Sequence, residues 1–146
     1  MAKSPKLTIP ESKNEFLTEI LSSFRKRSKS LKHNSWSISI ERIFEEYEDD
    51  KVEKIEIEIK PSNRNAMLCL RIWQDRWVTV SCWERTKEEK WDYFFEGKLL
   101  PEKSGRPFID SVEDTMAKFF EMRENKLERF NKIWTPLLAN GLELVK

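Results

Sequence analysis

An α+β fold is predicted: an N-terminal helix, a five-stranded antiparallel β-meander and a long C-terminal helix packed on one sheet face. Three observations predict it. Apolar residues recur at helical spacing near both ends of the chain, they alternate with polar residues through the middle, and short links join the segments that alternate. The length of 146 residues suits one domain, 1–146, with residues 1–10 expected as a flexible lead-in.

The first helix is marked by Ser12 and Glu15, which fit a capping box in which each side chain satisfies the other residue's backbone N–H. Phe16, Leu17, Ile20, Leu21, Phe24 and Leu31 follow at helical spacing. Lys13, Arg25, Lys26, Lys29 and Lys32 occupy the opposite face, and the late cations suit the helix dipole. Fraying is expected near His33 and Asn34.

Five strands come next. In SWSISIERIF, Trp36, Ile38 and Ile40 share one side. EEYEDDK reads as an acidic loop, because its carboxylates repel one another. VEKIEIEIK puts Ile55, Ile57 and Ile59 on one face and Glu56 and Glu58 on the other, the pattern of a half-buried strand. PSNRN reads as a turn. AMLCLRIW and WVTVSCW form a hairpin, ERTKEEK is a polar connection, and WDYFFEG is a fifth strand ending at Gly97. KLLPEKSGRPF reads as an irregular loop. Asp110 then caps the long helix, with Glu113 at the reciprocal position and Val112, Met116, Phe119, Phe120, Leu127 and Phe130 as its apolar stripe. Pro136 breaks that helix, and Gly141 stops the short helical turn after it.

The hairpin register follows from segregation. Setting Trp73 opposite Trp77 leaves Leu68, Leu70 and Ile72 facing Cys82, Val80 and Val78, a wholly apolar layer. The other layer holds Met67, Cys69, Arg71, Trp73, Trp77, Thr79, Ser81 and Trp83. A slip of one residue mixes both layers. This register requires a three-residue loop whose third position favours a left-handed residue, and Arg76 stands there instead of glycine. It also sends Cys69 and Cys82 to opposite faces, beyond disulfide reach.

No catalytic, cofactor or metal motif stands out. A lone histidine, His33, cannot build a His-based triad or a multi-His metal centre. Three glycines argue against phosphate-cradling loops. Glu56 and Glu58 share a strand face and are the one candidate acid/base pair. No cofactor is expected. No apolar run is long enough to span a membrane, and the N-terminal stretch lacks the apolar core of a secretory signal, so a cytoplasmic protein is expected.

Charge is segregated. Residues 1–35 carry eight Lys/Arg against three Glu, and residues 41–58 carry nine Asp/Glu against three Lys/Arg. The aromatic layer, Arg71, Trp73, Trp77, Thr79 and Trp83, extended by Trp91 and Tyr93, has the residue types of interaction surfaces. The acidic segment Glu45, Glu46, Glu48, Asp49 and Asp50 suits a basic partner. These features predict a small protein-binding module, an inhibitor or immunity-type neutraliser of a toxin or nuclease. The alternative is a single-stranded nucleic-acid binder using the basic N-terminal helix and the Trp face. A third class is a sheet with a ligand pocket beneath its helices.

Overall fold

The computed structural model describes residues 9–26, 36–48, 50–61, 66–85, 90–101, 108, 137–138 and 141–144. Its elements are α1 (Glu15–Lys26), β1 (Trp36–Tyr47), β2 (Asp50–Pro61), β3 (Ala66–Trp73), β4 (Trp77–Arg85), β5 (Lys90–Leu99) and β6 (Leu142–Leu144).

Helix α1 starts one residue after its cap. Asn14 Oδ1 accepts a hydrogen bond from the Leu17 N–H at 3.0 Å, which is how an N-cap satisfies the third residue of a helix. The expected capping box is thereby corrected. Ser12 lies too early to cap: its hydroxyl accepts from the Asn14 N–H at 3.1 Å and donates to the Glu53 carboxylate at 2.6 Å. Phe16, Leu17, Ile20, Leu21 and Phe24 are buried, while Arg25 and Lys26 are exposed. Leu31, Lys29, Lys32 and His33 lie outside the described residues. Ile9 packs on the core and the Pro10 carbonyl accepts from Arg25 Nη2 at 2.8 Å, so the lead-in is tied down from there on.

The strands form one antiparallel sheet in the order β1-β2-β3-β4-β5-β6. The meander is as expected, but it has six strands where five were expected. Three residues, Leu142–Leu144, pair with Gly97–Leu99, too short a run for alternation to reveal. Strand β5 correspondingly continues two residues past Gly97. A Cβ at Gly97 would meet the Glu143 carbonyl oxygen at 2.5 Å, so glycine is what admits β6. Gly141 takes φ 108°, as a residue ending a helical turn does, and its carbonyl accepts from the Leu100 N–H at 2.8 Å. No long C-terminal helix is present among the described residues, and the architecture is one N-terminal helix on a six-stranded sheet. The expected helix from Asp110 and Glu113 to Pro136 lies outside them.

The acidic segment is a second correction. It is paired strand, with Glu45 opposite Val52, Glu46 opposite Lys51 and Tyr47 opposite Asp50. Alternation sends Glu45 and Glu46 to opposite faces, so their charges do not stack. Only positions 48 and 49 connect the strands. Glu48 takes φ 54°, the left-handed value a two-residue hairpin loop demands.

The β3–β4 register is the predicted one: Leu68, Leu70 and Ile72 oppose Cys82, Val80 and Val78. These six, with Ile40, Ile55, Ile57 and Ile59, are buried beneath α1. Removing one such side chain from water contributes roughly 1.5–3 kcal/mol. The three-residue loop Gln74–Arg76 also forms, and Arg76 takes the left-handed φ of 75°. Its backbone is held on both sides, donating to the Trp73 carbonyl at 3.0 Å and accepting from the Leu99 N–H at 2.9 Å. Its guanidinium lies 4.6 Å from the centre of the Phe16 ring, so the side chain anchors the loop to α1.

Two opposing effects fix what substitution at Arg76 does. Glycine relieves a left-handed penalty of about 1–2 kcal/mol and loses a ring contact of about 0.5–1 kcal/mol. Arg76→Gly is therefore expected to leave stability within about 1 kcal/mol of the parent. Arg76→Val loses the contact and keeps the strain, so it is expected to fall below Arg76→Gly by about 2 kcal/mol or more. Urea denaturation of the two variants checks this, and equal midpoints would contradict the loop geometry.

Candidate functional site

The face of the sheet away from α1 carries the predicted aromatic row. Cross-strand pairing aligns Glu58, Cys69 and Ser81 in one line and Glu56, Arg71, Thr79 and Glu96 in the next. Lys54 and Trp73 follow, with Trp77 opposite Lys98 across the Gln74–Arg76 loop. Trp73, Trp77 and Trp83 are each half-buried, whereas Cys69 and Thr79 are buried. The row is thus a partly covered mixed surface, with its aromatic rings neither bare nor sealed.

Trp91 and Tyr93 do not extend it. The β4–β5 register sets Trp91 against Glu84 and Tyr93 against Cys82, so both positions belong to the row of Cys82 and Val80. The positions that fall in register with the Trp row are Phe94, Glu96 and Lys98. Alternation within WDYFFEG gives the period but not its phase, which the connection after β4 sets.

The acidic segment forms the tip of an arm. Pairing of β2 with β3 ends at Lys54 opposite Trp73. Beyond it, Gln74 alone reaches across: its N–H donates to the Glu53 carbonyl at 3.0 Å, and its side-chain oxygen accepts from the Glu53 N–H at 2.9 Å. From there Glu45–Tyr47 and Asp50–Val52 pair only with each other, a ribbon about 10 Å long. Phe44 and Tyr47 are two of the three large apolar side chains exposed among the described residues, at 43% and 54%. Their numbers differ in parity, so they emerge on opposite faces of the arm. Glu46, Glu48 and Asp50 are exposed beside them. Asp49 lies outside the described residues.

Arm and Trp row meet at Glu45. Its carboxylate accepts from the Lys54 ammonium and from the Tyr47 hydroxyl, and the Trp73 indole contributes as well. Lys54 Nζ also lies 5.2 Å from the centre of the Trp73 ring and 4.0 Å from Glu56 Oε2. The Lys54 hydrogen bond, followed by that of Tyr47, holds the Glu45 carboxyl below the usual carboxylate range. The same contact pushes the Tyr47 hydroxyl up. On the arm's other face, Phe44 sits between two cations, Arg42 at 4.5 Å and Lys51 at 4.7 Å from the ring centre.

Catalytic and metal chemistry fit this face poorly. Glu56 accepts from Arg71 Nε at 3.2 Å and Glu58 faces Lys60 at 3.9 Å, so each carboxylate is engaged by a cation. The ligating atoms of Glu56, Glu58 and Cys69 lie within 4.8 Å of one another, the one such group among the described residues. A metal there would have to displace Arg71 and take the proton of Cys69, whose thiol burial pushes up. Cys69 and Cys82 form no disulfide and sit on opposite faces, as the register requires.

Comparison of the chain with protein-family models, with curated proteins and with solved structures finds no match.

The Glu45 contacts have a pH signature. A carboxylate whose folded-state pKa is lowered contributes stability that is full above its unfolded value and is lost as pH falls through the folded one. Its window therefore lies in acid, below the ordinary value of 4.5. Lys54→Met is expected to move the Glu45 titration upward toward that value, read by carbon NMR of the side-chain carboxyl. An unmoved titration would show that Lys54 is not the cause. A second expectation concerns the thiols. Cys69 and Cys82 are at most 1% exposed, so both should react with a thiol-specific reagent only as fast as the chain unfolds. Rapid labelling of either in the native protein would place it at the surface.

Proposed function

We propose that this chain is a protein-binding module of the inhibitor or neutraliser kind, acting in the cytoplasm on a basic partner such as a toxin or nuclease. The observation that carries this reading is the arm. It carries two exposed aromatic side chains, Tyr47 on the arm and Phe44 at its base, and among the described residues it holds the carboxylates of Glu45, Glu46, Glu48 and Asp50 against the cation Lys51. Aromatic anchors beside a cluster of carboxylates suit a steered and then desolvated contact, with Tyr47 on the carboxylate side and Phe44 between Arg42 and Lys51 on the other. Trp73 and Trp77 continue that surface from Glu45 onto the sheet.

The nucleic-acid alternative draws less support. Helix α1 packs on the Leu/Ile/Val face and the Trp row lies on the other, so the two surfaces it needs are on opposite sides of the sheet. The acidic arm beside the row repels phosphate. Among the described residues, no helix is long and apolar enough to cross a membrane.

The test is kinetic. Replacing Glu46, Glu48 and Asp50 together by Gln, Gln and Asn should change stability by no more than about 0.5 kcal/mol, because none of them is ion-paired among the described residues. Association with a basic protein partner should slow by about tenfold at low salt and by much less at high salt. Stopped-flow mixing at two ionic strengths measures both. A rate insensitive to the substitutions and to salt would remove the arm from the interaction.

A further inference from the structure

The geometry points to β1 as a docking edge. An extended basic segment of a partner would add there as a further strand, with cations opposite Glu41 and Glu46 and apolar residues opposite Ile43 and Phe44. Only in taking the partner to be basic does this rest on the reading above.

The direction of the β1 peptide groups can be derived. The N–H and C=O of Glu53 are both occupied by Gln74, on the β3 side of β2. Glu53 therefore makes no ladder bond with Phe44, its partner in β1. In an antiparallel pair of this kind both residues point their peptide groups away from each other, and the pattern alternates along the strand. Ile38, Ile40, Arg42, Phe44 and Glu46 consequently present N–H and C=O to the outer edge, while Glu41, Ile43 and Glu45 bond to β2. Among the described residues, no backbone hydrogen bond reaches that edge, and β1 has β2 as its one neighbour.

Edges of this length are ordinarily blunted by charge, proline, a bulge, brevity or a covering element. Strand β1 is long and has no proline, lysine or bulge, and the charges it carries are those of Glu41, Glu45 and Glu46 beside the inward-drawn Arg42. It runs 12 residues in unbroken register from Trp36 to Tyr47, without Pro or Lys. Its one cation, Arg42, is drawn inward to Glu53, with Nε 2.8 Å from the carboxylate, and its Nη1 donates to the Glu11 carbonyl at 3.1 Å.

The side chains along the edge then specify the occupant. Glu41 and Glu46 are exposed, and among the described residues neither has an ion-pair partner. Between them stand Ile43, half-buried, and Phe44, exposed. A complementary strand carries a cation, any residue, two apolar residues, any residue and a second cation. That order reads the same in both directions, so it suits parallel or antiparallel addition. The same edge of a second copy supplies no such cation, since the one cation of β1, Arg42, is already committed to Glu53. Main-chain bonds provide the affinity in strand addition and alternate side chains the choice of partner.

The probe is a blocked peptide with Lys-Thr-Val-Val-Thr-Lys at its centre, and the control carries Glu in place of both Lys. Amide hydrogen exchange of the full chain is followed by NMR at low salt. In the unliganded protein the amides of Ile38, Ile40, Arg42, Phe44 and Glu46 should exchange fast, and those of Glu41, Ile43 and Glu45 slowly. The lysine peptide should slow the first set by about tenfold or more, and the control should not. Phe44→Pro removes an N–H that points outward, so it should weaken peptide binding by about tenfold while the thermal midpoint stays close to that of the parent. Three results would overturn the proposal. The first is a peptide that shifts only Tyr47, Glu48 and Asp50 with the outward amides still fast, which leaves the basic-partner reading standing. The second is outward amides that are already slow in a chain that sediments as a dimer. The third is no protection up to about millimolar peptide.

Discussion

The carboxylate of Glu53 is the joint around which the molecule is arranged. It is 5% exposed, accepts the Ser12 hydroxyl on an oxygen that also lies 2.8 Å from Arg42 Nε as an ion pair, and has its own backbone held by Gln74. A buried carboxylate is tolerable only with such partners, since desolvation costs several kcal/mol when it is left alone. Meeting that requirement draws together the segment before α1, the edge strand β1 and the β3–β4 loop. It also fixes where the sheet stops being six strands wide and becomes a two-stranded ribbon.

Glu45 plays the matching part on the other face. Lys54, Tyr47 and Trp73 converge on it. Lys54 is in turn shared with Glu56, and Glu56 with Arg71, so charge runs in alternating sign from the arm onto the sheet. The half-buried Trp73 sits beside this chain of ion pairs, its ring centre 5.2 Å from Lys54 Nζ. Side chains held so tightly lose little further freedom when something docks on them, and preorganisation of that kind lowers the cost of binding. The carboxylates at the tip are different. Glu46, Glu48 and Asp50 are exposed without ion-pair partners among the described residues, and they supply net field rather than structure.

Much of the sheet was legible in the sequence. The β3–β4 register followed from one requirement, that Leu68, Leu70 and Ile72 meet apolar neighbours, and one slip would have mixed the layers. Even the objection to it, a non-glycine at Arg76, proved to be the residue with positive φ. What was missed lay where local pattern competes with a distant contact. Ser12 resembles a cap, but Glu53, 41 residues away, takes its hydroxyl, and Asn14 caps instead. Clustered carboxylates resemble a loop unless Lys51 and Lys54 stand across the hairpin. The phase of Trp91 and Tyr93 depends on the connection before them, and β6 depends on a glycine whose partner lies far along the chain. None of these contacts leaves a periodic trace.

The narrow attachment of β6 has a mechanical consequence. Antiparallel strands resist shear collectively but yield one bond at a time when peeled from an end. A pull applied beyond Leu144 loads the Gly97–Leu144 pair first and then runs back through Leu142. Tension entering before α1 meets Ser12, Arg25 and Arg42 together, so it must break several contacts at once. Under load the two ends of the fold therefore fail differently, with the three-residue strand opening like a zipper while the helix and its tether still hold.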